Sequence, residues 1–352
     1  MTKLCNLPVL ILKTFTIIYI LTLIHGCGQN IKVDDQKVSY IKDSLITGEI
    51  INKKIRDVSF LPYWVSTAQF AGYYVAKEKG IYEKYGINLN IISYKPFITS
   101  TDMIAGGKAD FAALWLVNAI ELKAKGADIV NIIQPSFRSS AMLITKKKSQ
   151  INTIAEMNGK RAGIWIGYEL QPKTLFNKFD LDVEIVPIGN SNNLFLMDGV
   201  DIINANWFDE YHSIINSGYD PEDLNVFFYS DNGLNFLEDG IYCLSDKLKN
   251  EPELCLDFIK ATLEGWRYAF NHKEEAVDIV LEYAKRDKLP VNRVHQRWML
   301  DRYEDLYLPK GVTEFNNSLA ESDYVFIAKL LKENNLIIEI PLFNEFYQPV
   351  IK

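Results

Sequence analysis

Short runs of apolar residues alternate with amphipathic segments from residue 57 to about residue 250. Apolar residues occupy every second position of "INLNIISY", which predicts a strand, whereas "NAIELKAKG" predicts a helix that ends at Gly126. This alternation of strands and helices indicates parallel βαβ units and therefore an α/β fold. From Glu251 onward the pattern is helical, and we expect those helices to act as packing elements.

The first predicted strand is "DVSFLPYW", and the segment that follows it is rich in aromatic residues. It predicts a helix from Thr67 to Lys79, with Ser66 or Thr67 as the N-cap and Gly80 at the end. A helix that packs on a core places its rings on one stripe. Here the rings crowd the entry and the first turn, at Trp64, Phe70, Tyr73 and Tyr74. We therefore expect them to face a ligand, although an aromatic-rich core remains the alternative for any single ring.

A second series of strands and helices begins near Ile154 and repeats a unit of the first. The unit is a short helix, a Gly, an Asp, an apolar strand and a Trp, as in "MIAGGKADFAALW" and "LFLMDGVDIINANW". Four of the six tryptophans lie at the ends of predicted strands: Trp64, Trp115, Trp165 and Trp207. Ligands of parallel α/β sheets collect at the carboxyl ends of the strands. A single Trp at the end of a strand would be explained by packing against the core. Four of them, distributed over both series, predict a cleft shared by two lobes.

Composition narrows the class of protein. The chain has 352 residues, of which 48% are hydrophobic, and this length suggests about two domains. The formal net charge of −7 argues against a nucleic-acid partner. The aromatic content of 12% suits recognition of a small, flat, polar ligand, because Trp and Tyr both stack and form hydrogen bonds.

The N-terminus predicts export and anchoring. Lys3 and Lys13 precede the short apolar run "TFTIIYILTLI", which is typical of a signal peptide over residues 1–26. Cys27 follows Gly26 and resembles the lipidated cysteine of a bacterial lipoprotein, with an ordinary signal peptide as the alternative. We expect residues 27–56 to form a tether from this membrane anchor to the folded part.

No catalytic or metal-binding pattern is present in the sequence. The chain lacks GxSxG, GxGxxG, HExxH and CxxC motifs, and its His residues have no neighbouring nucleophile motif. Cys243 and Cys255, which remain after removal of the signal peptide, are expected to be buried thiols. We therefore expect no metal, no cofactor and no enzymatic activity.

Several stretches resemble one protein family in order and spacing. They are "QFAGYYVAKEKGIYEKYGINLNI", "GGKADFA", "MNGKRAGIW", "FDEYHSIINSGYDPEDLNVFFYSDNGLNFLEDGIY" and "EGWRYAFNHKEEAVDIVL". Over about residues 57–300 the chain resembles the substrate-binding proteins of bacterial ABC importers, of the type that binds thiamine pyrimidine precursors and is related to sulfonate, nitrate and riboflavin binders. The resemblance implies an extracytoplasmic protein that delivers a small molecule to an ABC permease.

The resemblance also implies a type II periplasmic-binding-protein fold, in which two α/β lobes are joined by two crossover segments. On this basis we assign residues 57–145 to the first part of lobe 1 and residues 146–236 to lobe 2. Residues 237–352 would then complete lobe 1 and add the C-terminal helices. Such proteins close around their ligand by a hinge motion.

The same family includes a pyrimidine synthase that uses pyridoxal phosphate and histidine. Its cofactor-holding Lys corresponds to Leu114 here, and the His that it consumes corresponds to Asn118. Its cysteine-rich run corresponds to "LNFLE" after Gly233, which has no thiol. Leu cannot form a Schiff base and Asn cannot supply an imidazole, so the sequence disfavours this enzyme reading.

The expected ligand-binding residues combine rings, amides and carboxylates. From lobe 1 and lobe 2 they are Trp64, Gln69, Phe70, Tyr73, Trp115, Asn118, Trp165, Tyr168, Glu169 and Trp207; from the crossover they are Glu210, Tyr211, Glu238 and Asp239. Aromatic pairs would clamp a heteroaromatic ring, and the amides and acids would read its donors. Trp207 and Tyr211 are alternatively residues that pack the hinge. A sulfonate or nitrate binder would require basic residues here instead.

Overall fold

The computed structural model describes residues 54–93 and 99–351, all of which belong to one contact unit, Lys53–Lys352. The predicted signal peptide, the predicted lipidation site Cys27 and nearly all of the predicted tether lie outside the described residues. Within the described ranges, no helix is both long and apolar enough to cross a membrane.

In the part of the chain that the structure describes, ten strands form two five-stranded sheets. In chain order they are β1 (Arg56–Leu61), β2 (Ile87–Ile91), β3 (Phe111–Leu114), β4 (Ile129–Ile133), β5 (Ala141–Lys146), β6 (Arg161–Trp165), β7 (Glu184–Ile188), β8 (Ile202–Asn206), β9 (Leu224–Phe228) and β10 (Gly240–Leu244). The first sheet has the order β2-β1-β3-β10-β4 and the second has the order β7-β6-β8-β5-β9.

The two sheets have the same construction, which is what the repeated sequence unit predicts. In the first sheet β2, β1 and β3 are parallel, and β10 is antiparallel to both of its neighbours. In the second sheet β7, β6 and β8 are parallel, and β5 is antiparallel to both of its neighbours. The antiparallel strand of each sheet is the one that directly follows a crossover from the other sheet. Residues 134–140 form the first crossover and residues 229–239 form the second.

Thirteen α-helices within the described residues accompany the sheets. They are α1 (Ala71–Glu78), α2 (Ile81–Lys84), α3 (Ser100–Ala105), α4 (Leu116–Ala124), α5 (Leu170–Lys178), α6 (Asn193–Leu196), α7 (Glu210–Asn216), α8 (Ser245–Asn250), α9 (Pro252–Asn271), α10 (Lys273–Arg286), α11 (Arg293–Tyr307), α12 (Glu321–Glu333) and α13 (Phe343–Phe346). The predicted alternation up to about residue 250 and the helical pattern after it are therefore confirmed.

The lobe boundary that we assigned at residues 145–146 is wrong. Strand β5 lies between β8 and β9 in the second sheet, so the chain enters lobe 2 before Ala141 rather than after Thr145. The apolar run "AMLIT" is compatible with either sheet, and only its pairing partners decide its lobe. The C-terminal helices also do not belong to one lobe alone, because α12 packs against both α4 and α5.

The predicted helix at Thr67 exists, but its start differs from the expectation. A 3₁₀ turn, Ala68–Phe70, precedes α1, and neither Thr67 nor Phe70 makes a side-chain cap hydrogen bond. Ser66 instead donates from its hydroxyl to Asp287, at 2.5 Å, and accepts from Tyr74 Oη, at 3.1 Å. The end is as predicted, because Gly80 follows the helix in the left-handed conformation that favours glycine, with φ of 67°.

Helices α1 and α9 cross at two glycines. A Cβ atom at Gly265 would lie 2.3 Å from the backbone oxygen of Gly72, and a Cβ at Gly72 would lie 2.3 Å from the indole ring of Trp266. These contacts show why "AGYY" and "EGWRY" carry glycine at this crossing: no larger residue fits between the two helices. The crossing fixes the position of the segment that leads into α1.

The two cysteines of the described residues are both free and buried, as predicted. Cys243 lies in β10 and Cys255 lies in α9, and both belong to the hydrophobic core of lobe 1. Hydrogen bonding with Cys255 and burial raise the pKa of the Cys243 thiol. Among the described residues, no group of three or more His, Cys, Asp or Glu side chains is placed to hold a metal ion.

Candidate functional site

A cavity of about 460 Å³ opens where strand ends of the two sheets meet. Trp64 comes shortly after β1, Trp115 directly after β3, and Trp165 is the last residue of β6; all three line the cavity. The volume is in the range of small-molecule sites, which is about 300–1,000 Å³. The predicted cleft between two lobes is therefore present at the carboxyl ends of parallel strands.

Aromatic side chains supply much of the lining. They are Tyr63, Trp64, Trp115, Trp165, Tyr168 and Phe208. The remaining lining residues are Gln69, Ile166, Ile188, Gly189, Asn190, Asn192, Asn206, Asp209, Glu210 and Ser213. Six of the fourteen predicted ligand-binding residues belong to these two groups: Trp64, Gln69, Trp115, Trp165, Tyr168 and Glu210.

Four rings form a continuous chain of edge contacts across the two lobes. The ring of Tyr63 lies 6.1 Å from that of Trp115, and Trp115 lies 5.0 Å from Tyr168, between ring centroids. Tyr168 in turn contacts Trp165 at 6.2 Å with nearly perpendicular planes. Edge-to-face contacts of this kind stabilise aromatic pairs by about 0.5–1.5 kcal/mol each beyond area burial. The Trp115–Tyr168 contact joins lobe 1 to lobe 2 directly.

Two adjacent carboxylates on lobe 2 face the cavity. Asp209 Oδ1 lies 2.9 Å from His295 Nε2 on α11, and Glu210 Oε2 accepts the backbone N–H of Asn206 at 2.9 Å. Burial, followed by the charge of Asp209, raises the pKa of Glu210 to about 8. A carboxyl group with such a pKa is protonated at neutral pH, so it can donate one hydrogen bond and accept another.

The lining of the larger cavity contains acidic side chains but no basic ones among the described residues. Among the described residues that line the cavity, Asp209 and Glu210 are the ionisable acids, and there is no Lys, Arg or His. Gln69 adds an amide that donates from Nε2 to Tyr63 Oη. Donor-rich or cationic ligands therefore suit this cavity better than sulfonates or phosphates, which require guanidinium, ammonium or backbone N–H groups.

Phe70 and Tyr73 do not face the cavity, which contradicts the expectation. Phe70 is 1% exposed and Tyr73 is 2% exposed, and both belong to the core of lobe 1. Tyr73 stacks on Phe60 of β1 at 4.0 Å and meets Trp266 edge-on. The 3₁₀ turn turns these two rings inward and leaves Gln69 at the cavity, so the core alternative is correct for both.

Trp207 and Tyr211 pack the contact between the lobes instead of lining the cavity. The guanidinium groups of Arg138 and Arg302 lie 5.4 and 4.6 Å from the centroid of the Trp207 ring. The backbone carbonyl of Trp207 accepts the indole N–H of Trp298. Tyr211 contacts the Trp298 ring at 6.0 Å. The hinge-packing alternative is the one that the structure supports.

Glu238 and Asp239 lie beside the cavity but not in its lining. Glu238 is 2% exposed and accepts hydrogen bonds from the hydroxyls of Ser139 and Ser140 and from the Ser140 N–H. These hydrogen bonds connect the second crossover to the first. Burial and the charge of Asp239 raise the pKa of Glu238 to about 8.

Asp239 is buried behind the lining residues Tyr63 and Gln69. Its Oδ2 accepts the hydroxyl of Tyr303 at 2.7 Å. Burial raises the pKa of Asp239 to about 6, and the hydroxyls of Tyr303 and Tyr63 and the amide of Gln69 oppose this rise. The acid supports the polar side chains of the cavity wall rather than contacting its interior.

Asn118 and Glu169 line a second, smaller cavity of about 280 Å³. This cavity lies next to the first, because both include Trp115, Trp165 and Tyr168 in their lining. Asn118 is on α4, and Glu169 precedes α5 and accepts the backbone N–H of Gly167 at 3.0 Å.

Several polar lining residues that follow strands are not among the predicted residues. Asn190 and Asn192 come after β7, and Asn206 and Asp209 stand on either side of Trp207 at the end of β8. The rule that selected the tryptophans also applies to these positions, so amides and acids at strand ends were an available signal. Tyr63 and Phe208 could be identified as lining residues only from the tertiary structure, because other aromatic residues close to them in sequence are buried in the core.

Comparisons with known proteins agree on the fold and on the family. The chain is 14% identical to the periplasmic aliphatic sulphonate binding protein SsuA of Escherichia coli, with a TM-score of 0.65 over 83% of this chain and 92% of that one. The predicted fold is therefore confirmed: the protein has the α/β periplasmic-binding fold with two lobes.

Two curated relatives carry the name 4-amino-5-hydroxymethyl-2-methylpyrimidine phosphate synthase. The Legionella pneumophila protein is 26% identical over 66% of this chain and 76% of its own length. The Schizosaccharomyces pombe protein is 28% identical over 35% of this chain, and the match spans 36% of its length. The family model described as "NMT1/THI5 like" matches residues 67–276, which is more than half of the chain. The chain therefore belongs to the NMT1/THI5-like family.

Proposed function

We propose that this protein is an extracytoplasmic solute-binding protein that captures a small heteroaromatic ligand, of the thiamine pyrimidine precursor type, between its lobes. The observation that carries the proposal is the aromatic and acidic cavity shared by both lobes. Delivery to an ABC permease is part of the proposal, and the names of the relatives support the pyrimidine chemistry.

The protonated carboxyl of Glu210 is suited to an aminopyrimidine. A neutral carboxyl donates its proton to a ring nitrogen while its other oxygen accepts the adjacent amino group. The rings of Trp64, Trp115 and Trp165 supply flat surfaces for the heterocycle. The absence of a cationic side chain from the described lining disfavours an anion such as a sulfonate.

Substitution of Glu210 tests this pairing. We expect the affinity for 4-amino-5-hydroxymethyl-2-methylpyrimidine to be constant up to the raised pKa of Glu210 and to fall above it, because ionisation removes the proton that the ring nitrogen accepts. The fall approaches tenfold per pH unit. Glu210→Gln retains an amide donor and an acceptor, so it should bind with a flat pH profile, whereas Glu210→Ala should bind weakly at every pH.

Isothermal titration calorimetry from about pH 6 to about pH 10 measures these profiles on the full chain in detergent. Short alkylsulfonates serve as the anionic comparison. Tight binding of a sulfonate together with no binding of aminopyrimidines would overturn the proposed ligand class. A wild-type profile as flat as that of Glu210→Gln would overturn the role of the protonated carboxyl.

The synthase named by the relatives is the alternative activity, and this chain's residues do not fit its cofactor. Leu114, at the position of the cofactor-holding lysine, is a buried core residue of β3. Asn118 stands at the position of the consumed histidine and lines the smaller cavity. No lysine lines either cavity among the described residues, so neither offers an amine for a Schiff base or a cation for a phosphate. We therefore favour binding over catalysis.

The membrane anchor is a separate proposal that rests on the sequence. Cys27 follows an apolar run and Gly26, which is where a lipoprotein signal is cleaved and its cysteine acylated. Cys27→Ser should move the protein from the detergent phase to the aqueous phase in a detergent phase separation. Unchanged partitioning of the variant would contradict the anchor.

A further inference from the structure

The smaller cavity adjoins the larger one at three aromatic side chains. The two cavities, of about 460 and 280 Å³, share Trp115, Trp165 and Tyr168. All three rings are half-buried, and each presents surface to both cavities. These three rings therefore form a wall that the two cavities have in common.

Tyr168 is the lobe 2 loop residue of this common wall. It lies in the loop between β6 and α5, directly after Gly167, whose φ is 86°. Its ring is held in the wall by edge contacts with Trp115 and Trp165.

The smaller cavity has a polar lining of its own. Asn118 and Glu121 project from α4, and Gln171 and Asn204 come from lobe 2. Tyr229 donates its hydroxyl to Asn204 Oδ1 at 2.6 Å, and Gln171 Nε2 donates to the carbonyl of Leu234 at 3.0 Å, so both amides are held in place. With Glu169, the described lining contains two acids and no Lys, Arg or His.

We propose that the two cavities form one bipartite site for a two-part ligand. The larger cavity takes the heteroaromatic ring, and the smaller one takes a second group that is cationic or rich in hydrogen-bond donors, with the linker passing beside Tyr168. This inference rests on the proposed function, and it adds a requirement for ligand length and for the charge of the distal group. A ligand that fills only the larger cavity would leave the polar groups of the smaller one to water.

The test compares a one-ring probe with a two-ring probe. 4-Amino-5-hydroxymethyl-2-methylpyrimidine carries the aminopyrimidine alone, and thiamine carries an aminopyrimidine joined through one methylene to a cationic thiazolium ring. The variants are Val117→Trp, which fills the smaller cavity, and Asn118→Leu, which removes one of its amides. The control is Val294→Trp, the same exchange at a position that is 67% exposed and outside both linings.

We expect the wild-type chain and Val294→Trp to bind thiamine at least tenfold more tightly than the one-ring probe. In Val117→Trp and Asn118→Leu the affinity advantage of thiamine over the one-ring probe should disappear. Equal affinity of the wild-type chain for both probes, or a thiamine advantage that survives both variants, would overturn the bipartite site and leave the proposed function intact. Failure of the wild-type chain to bind either probe would overturn both. If Val117→Trp does not fold, Asn118→Leu decides the question alone.

Discussion

Replacement of Gly265 by alanine is expected to lower the free energy of unfolding by about 2 kcal/mol. The new Cβ would lie 2.3 Å from the carbonyl oxygen of Gly72 and 2.5 Å from the Cβ of Ala76. Overpacking typically costs about 1–3 kcal/mol, and more where backbone must move. The higher helix propensity of alanine returns at most about 1 kcal/mol. The steric effect therefore decides the sign.

Gly189→Ala is the matched control for this substitution. A Cβ at Gly189 would meet no atom within 4 Å, and its φ is not positive, so we expect a change within about 0.5 kcal/mol. Urea unfolding measures both variants, and equal slopes would show that the change lies in stability. A Gly265→Ala variant as stable as the Gly189→Ala variant would mean that α1 and α9 separate at low cost.

Trp115→Ala is expected to weaken ligand binding by about 2 kcal/mol, which is about thirtyfold. The estimate combines a lost aromatic pair with the lost apolar area of the ring. Trp115 lines both cavities and is the lobe 1 partner of the Trp115–Tyr168 contact. Its removal therefore takes away a surface for the ligand and a contact that holds the lobes together.

Calorimetric titration with the aminopyrimidine probe measures this loss. Trp207→Ala is the control, because Trp207 also lies at the end of a strand but lines neither cavity. We expect the control to retain affinity within about threefold in its folded fraction. If both variants lost affinity equally, the effect would arise from packing between the lobes and not from contact of Trp115 with the ligand.

The sequence predicted the fold in detail because its signals are local and repeated. Alternating strands, helices and strand-end tryptophans occur twice, and in each five-stranded sheet one strand is antiparallel to the other four. The lobe assignment of β5 was not predictable in this way, since the identity of the neighbouring strands is a property of the whole chain.

The candidate site was predicted in part. Trp64 and Tyr73 are both aromatic and close in sequence, but the first lines the cavity whereas the second is 2% exposed in the core. A 3₁₀ turn at Ala68–Phe70 separates the two positions, and sequence periodicity does not reveal that turn. Asp209 and Asn206 line the cavity but were not among the predicted acids and amides, although Glu210, next to Asp209, was.

The strand order of the first sheet has a consequence for the order in which the lobes form. Strand β10 lies between β3 and β4, so β4 has no neighbouring strand in the sheet until residues 240–244 have been made. The second sheet is complete once β9 has emerged, at residue 228. As the chain is synthesised or exported from its N-terminus, lobe 2, which is encoded in the middle of the chain, therefore has all of its strands before lobe 1 does. Until β10 has been made, the edge of β3 is unpaired and can form hydrogen bonds with an incorrect strand. Aggregation is therefore most favoured in the interval before the chain completes the second crossover.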